Sequence, residues 1–243
     1  MSDQHPNPNI PAQPAALRHP LSNVAKWLNG SGPLKIVAIG SSSTAGEGGI
    51  VPYPFRLEMA LRDPNNWQAA RDKVDGRMID VINRGKIGDE APGELKRMDN
   101  DVIAEHPALV IWQVGTNAAW KGDDFGAVAA AIDSGLKRLL RTTTIDVVLM
   151  DLQYAPAVLT KDKIEAARSM VSLISRAADA NPPVNVFRRF ELMSRWHSDE
   201  KISFDRMIDP TDSDRLHMSD WAAQRIAQAL CEVIVAAALA KTA

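Results

Sequence analysis

The chain has 243 residues, and its 28 basic and 30 acidic side chains leave a formal net charge of −2. This balance lacks the basic footprint that binding to nucleic-acid phosphates requires, so we expect no nucleic-acid partner. The 45% hydrophobic and 24% charged content is ordinary for a globular protein, and it excludes disordered, collagen-like and disulfide-scaffold classes. The single cysteine, Cys231, cannot form a disulfide within the chain.

The two ends of the chain predict an arm followed by one domain. Residues 1–20 are rich in proline and lack periodicity, so we expect a loose arm there and a single domain over residues 21–243. The longest apolar run, residues 233–240, is far shorter than the roughly 18 residues of a membrane span, so no span is expected. No signal peptide is recognisable, which fits a cytoplasmic protein or a mature exported one without its leader. The oligomeric state is left open.

Short apolar runs alternate with longer helical patterns along the chain. The runs rich in β-branched residues predict strands over residues 34–39, 78–82, 109–114, 145–150 and 184–187. Helical spacing predicts helices over residues 21–28, 53–61, 93–104, 125–140, 161–180 and 220–239. Five strands that alternate with helices imply a parallel sheet covered on both faces, which is a three-layer α/β/α fold.

Small polar residues follow four of the predicted strands, at the edge where ligands bind in open α/β sheets. In chain order they are Gly40-Ser41-Ser42, Asn83-Arg84-Gly85, Gly115-Thr116-Asn117 and Asp151. The first of these loops has neither the P-loop nor the dinucleotide-binding spacing, and it departs from the G-x-S-x-G elbow at Thr44. This loop can still supply a nucleophilic serine, provided that a base reaches its hydroxyl.

His217 is the histidine best placed to be that base. It lies just before the last predicted helix, and Asp214 precedes it by three residues. A carboxylate on such a turn can accept the Nδ1–H and orient Nε2 toward a nucleophile. His197, by contrast, follows Trp196, and we interpret it as a packing or surface residue.

Taken together, these blocks resemble the SGNH hydrolase superfamily, also called GDSL-type esterases, over roughly residues 34–239. Its four blocks correspond in order to Gly40-Ser41-Ser42, the Gly85 loop, Gly115-Thr116-Asn117 and Asp214-Arg215-Leu216-His217. Ser41 stands where the family usually has an Asp that lies outside the catalytic set. The resemblance implies a flavodoxin-like fold with a five-stranded parallel sheet.

The resemblance also implies the site residues. Ser42 would be the nucleophile, His217 the base and Asp214 the acid that orients it, while the oxyanion hole would use the Ser42 and Gly85 N–H groups and the Asn117 amide. No metal or other cofactor is expected.

Other residues are candidates of lower weight. Substrate contacts are predicted for Asp151, Gln153, Tyr154 and Trp120, and the loop at Glu47 is predicted to shape an entrance. The alternation of side chains along the third predicted strand does not decide toward which face Gln113 points. The Arg188-Arg189 pair is expected to be solvated.

The leading functional hypothesis is a serine esterase that hydrolyses small acyl esters, with O-acetyl groups on a carbohydrate as the candidate substrate. Two alternatives remain open. An acyltransferase would pass the same acyl group to an acceptor hydroxyl, and a non-catalytic domain would use the serine loop as an anion site.

Overall fold

A five-stranded parallel sheet lies at the centre of the structure, a computed structural model that describes residues 16–240. Its strands stand in the order β2-β1-β3-β4-β5. They are β1 (Leu34–Gly40), β2 (Ile79–Gly85), β3 (Leu109–Gln113), β4 (Asp146–Met150) and β5 (Asn185–Phe187). The five predicted strands are confirmed, and their order is the flavodoxin-like one.

Helices cover both faces of this sheet. In chain order they are α1 (Ser22–Asn29), α2 (Ser42–Ala45), α3 (Tyr53–Arg62), α4 (Arg71–Val74), α5 (Ala91–Asp101), α6 (Thr116–Lys121), α7 (Phe125–Leu140), α8 (Ile164–Asp179), α9 (Arg189–Ser198), α10 (Phe204–Met207) and α11 (Asp220–Leu239). Short 3₁₀ turns occur at Pro64–Ala70, Ile103–Glu105 and Pro156–Val158. One layer is built by α5, α7 and α8, and the other by α1, α3 and α11. The three-layer α/β/α fold is therefore confirmed.

The central strands are apolar because both of their faces are buried. All five residues of β3 and all five of β4 are buried, whereas the edge strand β2 is partly open. Continuous apolar runs of this kind are typical of parallel sheets with helices on both sides. On one face, α7 approaches β3 closely at Gly135, where a Cβ atom would lie 2.3 Å from the Trp112 ring. The glycine is therefore required by the packing of the helix on the sheet.

The register brings the predicted loops to one edge of the sheet. Gly40 at the end of β1 pairs with Gly85 at the end of β2, and Ile39 pairs with Trp112 near the end of β3. β1 and β3 are therefore neighbouring strands at the topological switch point, where α/β sheets open a crevice for ligands.

The start of the domain differs from the predicted boundary. Within the described part of the expected arm, His19 exchanges two backbone hydrogen bonds with the Asn185 side chain on β5, at 2.8 and 3.1 Å. Leu17 also packs against the core. Residues 16–20 therefore belong to the domain surface, and the rest of the predicted arm, residues 1–15, lies outside the described residues.

One described helix, α11, is long and apolar enough to pass a membrane-span test on length and composition alone. About 61% of its most apolar window is buried inside the domain, where the helix packs against α3 and α1. Such burial is typical of a core helix in a globular fold.

Candidate active site

Ser42 stands at the start of a one-turn helix that follows β1 directly. Ser41 has extended backbone, and α2 begins at Ser42 and ends before Gly46, whose φ is 90°. The first N–H groups of a helix have no acceptor within it. Among the described residues, no protein acceptor is hydrogen-bonded to the Ser42 N–H. This local geometry presents the Ser42 hydroxyl and N–H together at the edge of the sheet.

His217 reaches Ser42 from a loop near the end of the chain. Its Nε2 lies 3.0 Å from the Ser42 Oγ. The loop is closed at its base by an antiparallel bridge between Ile208 and Met218, and the Asp209 N–H donates to the His217 carbonyl at 2.9 Å. The structure thus brings the predicted nucleophile and base to hydrogen-bonding distance.

The carboxylate beside His217 is Asp212, which differs from the predicted pairing with Asp214. The Asp212 Oδ2 lies 3.0 Å from His217 Nδ1 and also accepts the backbone N–H of His217 at 2.7 Å. Asp214 is exposed, and its backbone N–H donates to Asp212 Oδ1 at 3.1 Å. Arg215 has a left-handed φ of 54°, which turns the chain back so that the His217 ring lies over Asp212. The tight turn, rather than the three-residue spacing, selects the carboxylate.

The turn also keeps Asp212 ionised. Partial burial acts to raise its pKa, but the backbone N–H groups of His217 and Leu216 donate to the carboxylate and hold the pKa below its usual value. Hydrogen bonds to the charged form of a carboxyl favour that form. Asp212 is therefore an anion that can orient the imidazole and stabilise its protonated state.

Asn117 lies at the same edge of the sheet, in the first turn of α6. The helix begins after Gly115, which has a φ of 88° and whose Cβ would lie 2.7 Å from the Met170 side chain. The Asn117 Nδ2 donates to the Asp89 carbonyl at 3.1 Å. An amide NH₂ has two hydrogens, so one remains for a ligand while the other fixes the side chain.

Gly85 is arranged differently from the prediction. Its N–H donates to the side-chain oxygen of Asn83 at 2.9 Å, and the Asn83 amide donates to the Thr44 carbonyl at 2.9 Å. A Cβ on Gly85 would lie 2.1 Å from the Ala45 nitrogen. Gly85 is therefore needed where β2 passes α2, and its N–H would join an oxyanion hole only after it released Asn83.

A buried amide supports the serine loop from behind. The Gln113 Oε1 at the end of β3 accepts from the Ser41 N–H at 3.0 Å and from three hydroxyls, those of Ser41, Ser43 and Thr44, at 3.0 to 3.3 Å. The side chain therefore points toward the loop, a direction that strand parity left undecided. Alternation along the strand carried no signal for it, because β3 is buried on both faces.

Arg189 is fully buried behind the same loop, in contrast to the expectation of a solvated pair; its neighbour Arg188 is exposed. The guanidinium lies 3.5 Å from the Ser43 hydroxyl and 3.4 Å from the Thr116 hydroxyl, and its Nε donates to the Asp151 carbonyl at 3.1 Å. Burial lowers its pKa to about 10, so it remains protonated at neutral pH. Arg189 therefore bridges the loops that carry Ser42 and Asn117.

The predicted substrate contacts lie in other places. Asp151 and Gln153 are each only 1% exposed, so they lie beneath the site instead of lining it. The Asp151 Oδ1 accepts the Phe190 N–H at 2.9 Å, and burial raises the pKa of this carboxyl to about 7. The Gln153 amide donates to the Leu216 carbonyl and so supports the His217 loop.

Tyr154 and Trp120 are half-buried. The Tyr154 ring packs between Phe190 and Phe204, and the Lys163 ammonium lies 5.6 Å from the centre of the Trp120 ring. Neither residue lines the cleft at Ser42. A substrate contact for them stays a prediction.

A small cleft opens in front of Ser42 and His217. Its other walls are formed by Ser43, Gly46, Glu47, Ile50, Pro52, Tyr53, Met218 and Ala223. The Glu47 carboxylate reaches His217 Nε2 at 3.0 Å, the same distance as the Ser42 hydroxyl. The predicted entrance loop therefore carries a charged side chain to the reacting atoms, which the sequence alone did not indicate.

A larger cavity of about 590 Å³ lies elsewhere, between α3 and α11. Its walls contain Cys231, whose thiol has a pKa raised to about 12 by burial and is therefore protonated. The site at Ser42 is thus identified by the side chains that line it, and not by the volume of its cleft. Among residues 16–240, no group of three or more His, Cys, Asp or Glu side chains is arranged to hold a metal ion.

Comparisons with known proteins identify the family and the fold. The Non-GDSL lipase-like family matches residues 7–240 of the chain. No curated protein matches the sequence.

Solved structures share the fold at low sequence identity. A lipase/acylhydrolase from Enterococcus faecalis has a TM-score of 0.63 at 22% identity, covering 84% of this chain and 96% of that one. A mutant of Axe2, an acetylxylan esterase from Geobacillus stearothermophilus, has a TM-score of 0.64 at 17% identity, covering 84% of this chain and 95% of that one. These likenesses show a common fold.

Proposed function

Because the chain belongs to the Non-GDSL lipase-like family, which places it among the ester-hydrolysing enzymes of the SGNH superfamily, we propose that it is a serine esterase with Ser42 as nucleophile. The observation that carries this proposal is the continuous chain of contacts from Ser42 through His217 to Asp212, with 3.0 Å at each step. A nucleophile, a base and an oriented carboxylate in this order are what acyl transfer requires.

Acylation begins with the attack of the Ser42 Oγ on the ester carbonyl. As the new C–O bond forms, the Ser42 proton passes to His217 Nε2, and Asp212 stabilises the imidazolium through Nδ1. The carbonyl oxygen becomes an oxyanion, which the Ser42 N–H and the free hydrogen of the Asn117 amide can bind. When the tetrahedral intermediate collapses, the C–O bond to the alcohol breaks and the alcohol leaves with the proton from Nε2.

Deacylation repeats these steps with water. His217 Nε2 takes a proton from the water as its oxygen attacks the acyl carbon. The bond to Ser42 then breaks, and Ser42 recovers its proton from Nε2. The acid product leaves, and the resting hydrogen bonds are restored.

A small acyl group, such as acetyl, is the proposed substrate moiety, and a carbohydrate is the proposed alcohol. The narrow cleft at Ser42 supports a short acyl chain. The structural likeness to an acetylxylan esterase supports acetyl esters of sugars, although that likeness by itself concerns the fold.

Two measurements test this function. A fluorophosphonate probe should label the wild-type protein and not Ser42→Ala; absence of labelling in folded wild-type protein would support the non-catalytic anion-binding alternative instead.

A panel of p-nitrophenyl esters from acetyl to long acyl chains should show a preference for the shortest chains. The panel is then repeated with acetylated sugars and with added sugar acceptors. Acetyl transfer to the acceptor in preference to water would identify the acyltransferase alternative.

A further inference from the structure

Glu47 occupies a position that the reaction needs for another atom. Besides the Ser42 Oγ, the His217 Nε2 must contact the leaving alcohol oxygen, because that oxygen takes its proton from Nε2. In the structure, the second oxygen at Nε2 is a carboxylate oxygen of Glu47, at 3.0 Å. The Glu47 carboxylate therefore stands where the alcohol side of an ester has to enter, and it must move aside when a substrate binds.

The loop around Glu47 permits that movement. The Glu47 side chain is 41% exposed, and it is followed by Gly48 and Gly49, which have φ values of 66° and 81°. No heavy atom lies within 4 Å of a Cβ built on Gly49. Because its side chain is partly exposed, Glu47 can turn away from Nε2 toward solvent.

The charges around the cleft give this movement a consequence for specificity. Among the described residues that line the cleft, Glu47 is a carboxylate and none is Lys or Arg. The buried Asp209 lies behind the loop, close to Gly48, and Asp212 lies on the other side of the His217 ring. Beside Nε2, an anionic alcohol group would meet the Glu47 carboxylate with no Lys or Arg in the cleft lining, whereas a hydroxyl group can donate a hydrogen bond to Glu47.

We infer that Glu47 is a specificity-determining residue on the alcohol side of the ester: it accepts a hydrogen bond from a hydroxyl next to the ester oxygen and rejects anionic alcohols. The substrate class that this selects is a partly acylated, uncharged polyol. The inference rests on the proposed serine esterase function and specifies its alcohol half.

The test compares three acetate esters whose alcohol parts have similar size. Propyl acetate has a plain alkyl group, 2-hydroxyethyl acetate has a neighbouring hydroxyl, and 3-acetoxypropanoate has a carboxylate. kcat/KM is measured for each with the wild type, Glu47→Gln, Glu47→Ala and the control Glu165→Gln. Glu165 is an exposed carboxylate on α8 that pairs with Arg168 at 2.8 Å, so its variant removes the same charge outside the His217 loop.

The wild type should prefer the hydroxyethyl ester over both others. Glu47→Gln should reduce the preference for the hydroxyethyl over the anionic ester about tenfold, because one repulsive charge is lost. Glu47→Ala should reduce the preference for the hydroxyethyl over the propyl ester as well, because the acceptor is lost. Glu165→Gln should change neither ratio.

Three results distinguish a failure of the Glu47 inference from a failure of the proposed esterase function. If the kcat/KM ratios between the three esters are the same in the wild type and in both Glu47 variants, and p-nitrophenyl acetate is turned over normally, the role of Glu47 is overturned and the esterase function is not. Loss of p-nitrophenyl acetate turnover in a folded Glu47→Ala protein would also overturn it, because Glu47 would then act on the proton and not on the alcohol. Absence of any ester turnover in the wild type would instead reject the proposed function itself.

Discussion

The two sides of Ser42 are built in contrasting ways. In front of it, His217 and Asp212 are partly exposed, with side chains 17% and 13% accessible, and both lie on one loop held by its own turn. Behind it, Gln113 and Arg189 are buried and come from separate elements, the end of β3 and the start of α9. The front is thus a local structure, and the back depends on the assembled sheet.

This difference separates the residues that take part in the reaction from those that hold the serine loop in place. In front, His217 must gain and lose a proton during turnover while Asp212 stays ionised beside it. The groups behind hold a fixed hydrogen-bond pattern, and a buried polar group that loses its partner destabilises the protein. Substitutions of Ser42 and His217 should therefore reduce activity at nearly constant stability, whereas substitutions behind should reduce both.

The largest effect is expected at the nucleophile and the base. Ser42→Ala and His217→Ala should each lower kcat on the order of 10⁶-fold, and the double variant should be little worse, because the two residues act as a unit. Urea unfolding should show a free energy of unfolding close to that of the wild type. Activities of Ser41→Ala or Ser43→Ala lower than that of Ser42→Ala would contradict the assignment of the nucleophile.

The next effect distinguishes two neighbouring carboxylates. Asp212→Ala should lower kcat on the order of 10⁴-fold, since the imidazole loses its orienting anion. Asp214→Ala, the matched control two residues away, should stay within a few-fold of the wild type, because its exposed side chain does not contact His217. Steady-state kinetics on p-nitrophenyl acetate measure both. The reverse order of the two losses would restore the pairing predicted from the sequence spacing.

A smaller loss of activity is expected at the oxyanion hole. Asn117→Ala should lower kcat by about 10²–10³-fold with little change in KM, because the amide binds mainly the transition state. Initial rates over a range of substrate concentrations separate the two parameters. A change confined to KM would show that Asn117 binds the ground state instead.

Behind the serine, the expected effect is on stability first. Gln113→Leu removes the oxygen that the donors of the serine loop share and should lower the free energy of unfolding by about 1–3 kcal/mol. Activity should fall as well, because the loop loses its support. The surface control Gln68→Leu, on an exposed glutamine, should change neither quantity. Unchanged stability in Gln113→Leu, measured by urea unfolding, would remove the contrast between front and back.

The last expected effect is a pH dependence of stability from Asp151. Burial raises its pKa from 3.8 to about 7, against the opposing influence of Arg189 and Arg188. Between about pH 4 and pH 7 the native protein therefore holds a proton that the unfolded chain has lost, and stability falls as the pH rises. Above pH 7 this contribution is constant.

Asp151→Asn should remove that slope, which is at most about 1.4 kcal/mol per pH unit. Urea unfolding at a series of pH values between 4 and 8 measures it. Asp133→Asn, at an exposed carboxylate that pairs with Lys137, serves as the control and should leave the slope unchanged. An identical slope in Asp151→Asn and the wild type would show that Asp151 is ionised throughout.

Sequence alone determined the sheet, its helical layers and the loops that meet at one edge. The strands could be predicted because a buried parallel strand requires an unbroken apolar run, as in β3 and β4. The Ser42, Asn117 and His217 loops could be found because they follow such runs or precede an amphipathic helix. The structure places Ser42 beside His217, as expected from the blocks.

Only the tertiary structure decided which polar side chains meet. The left-handed backbone at Arg215 turns His217 toward Asp212 instead of Asp214. The packing of α9 against the end of the sheet buries Arg189 and leaves its neighbour Arg188 in water. Glu47 reaches Nε2 because two glycines let its loop fold over the cleft. Apolar periodicity is a local property of the chain, whereas a contact between polar groups depends on loop conformations and on elements distant in sequence.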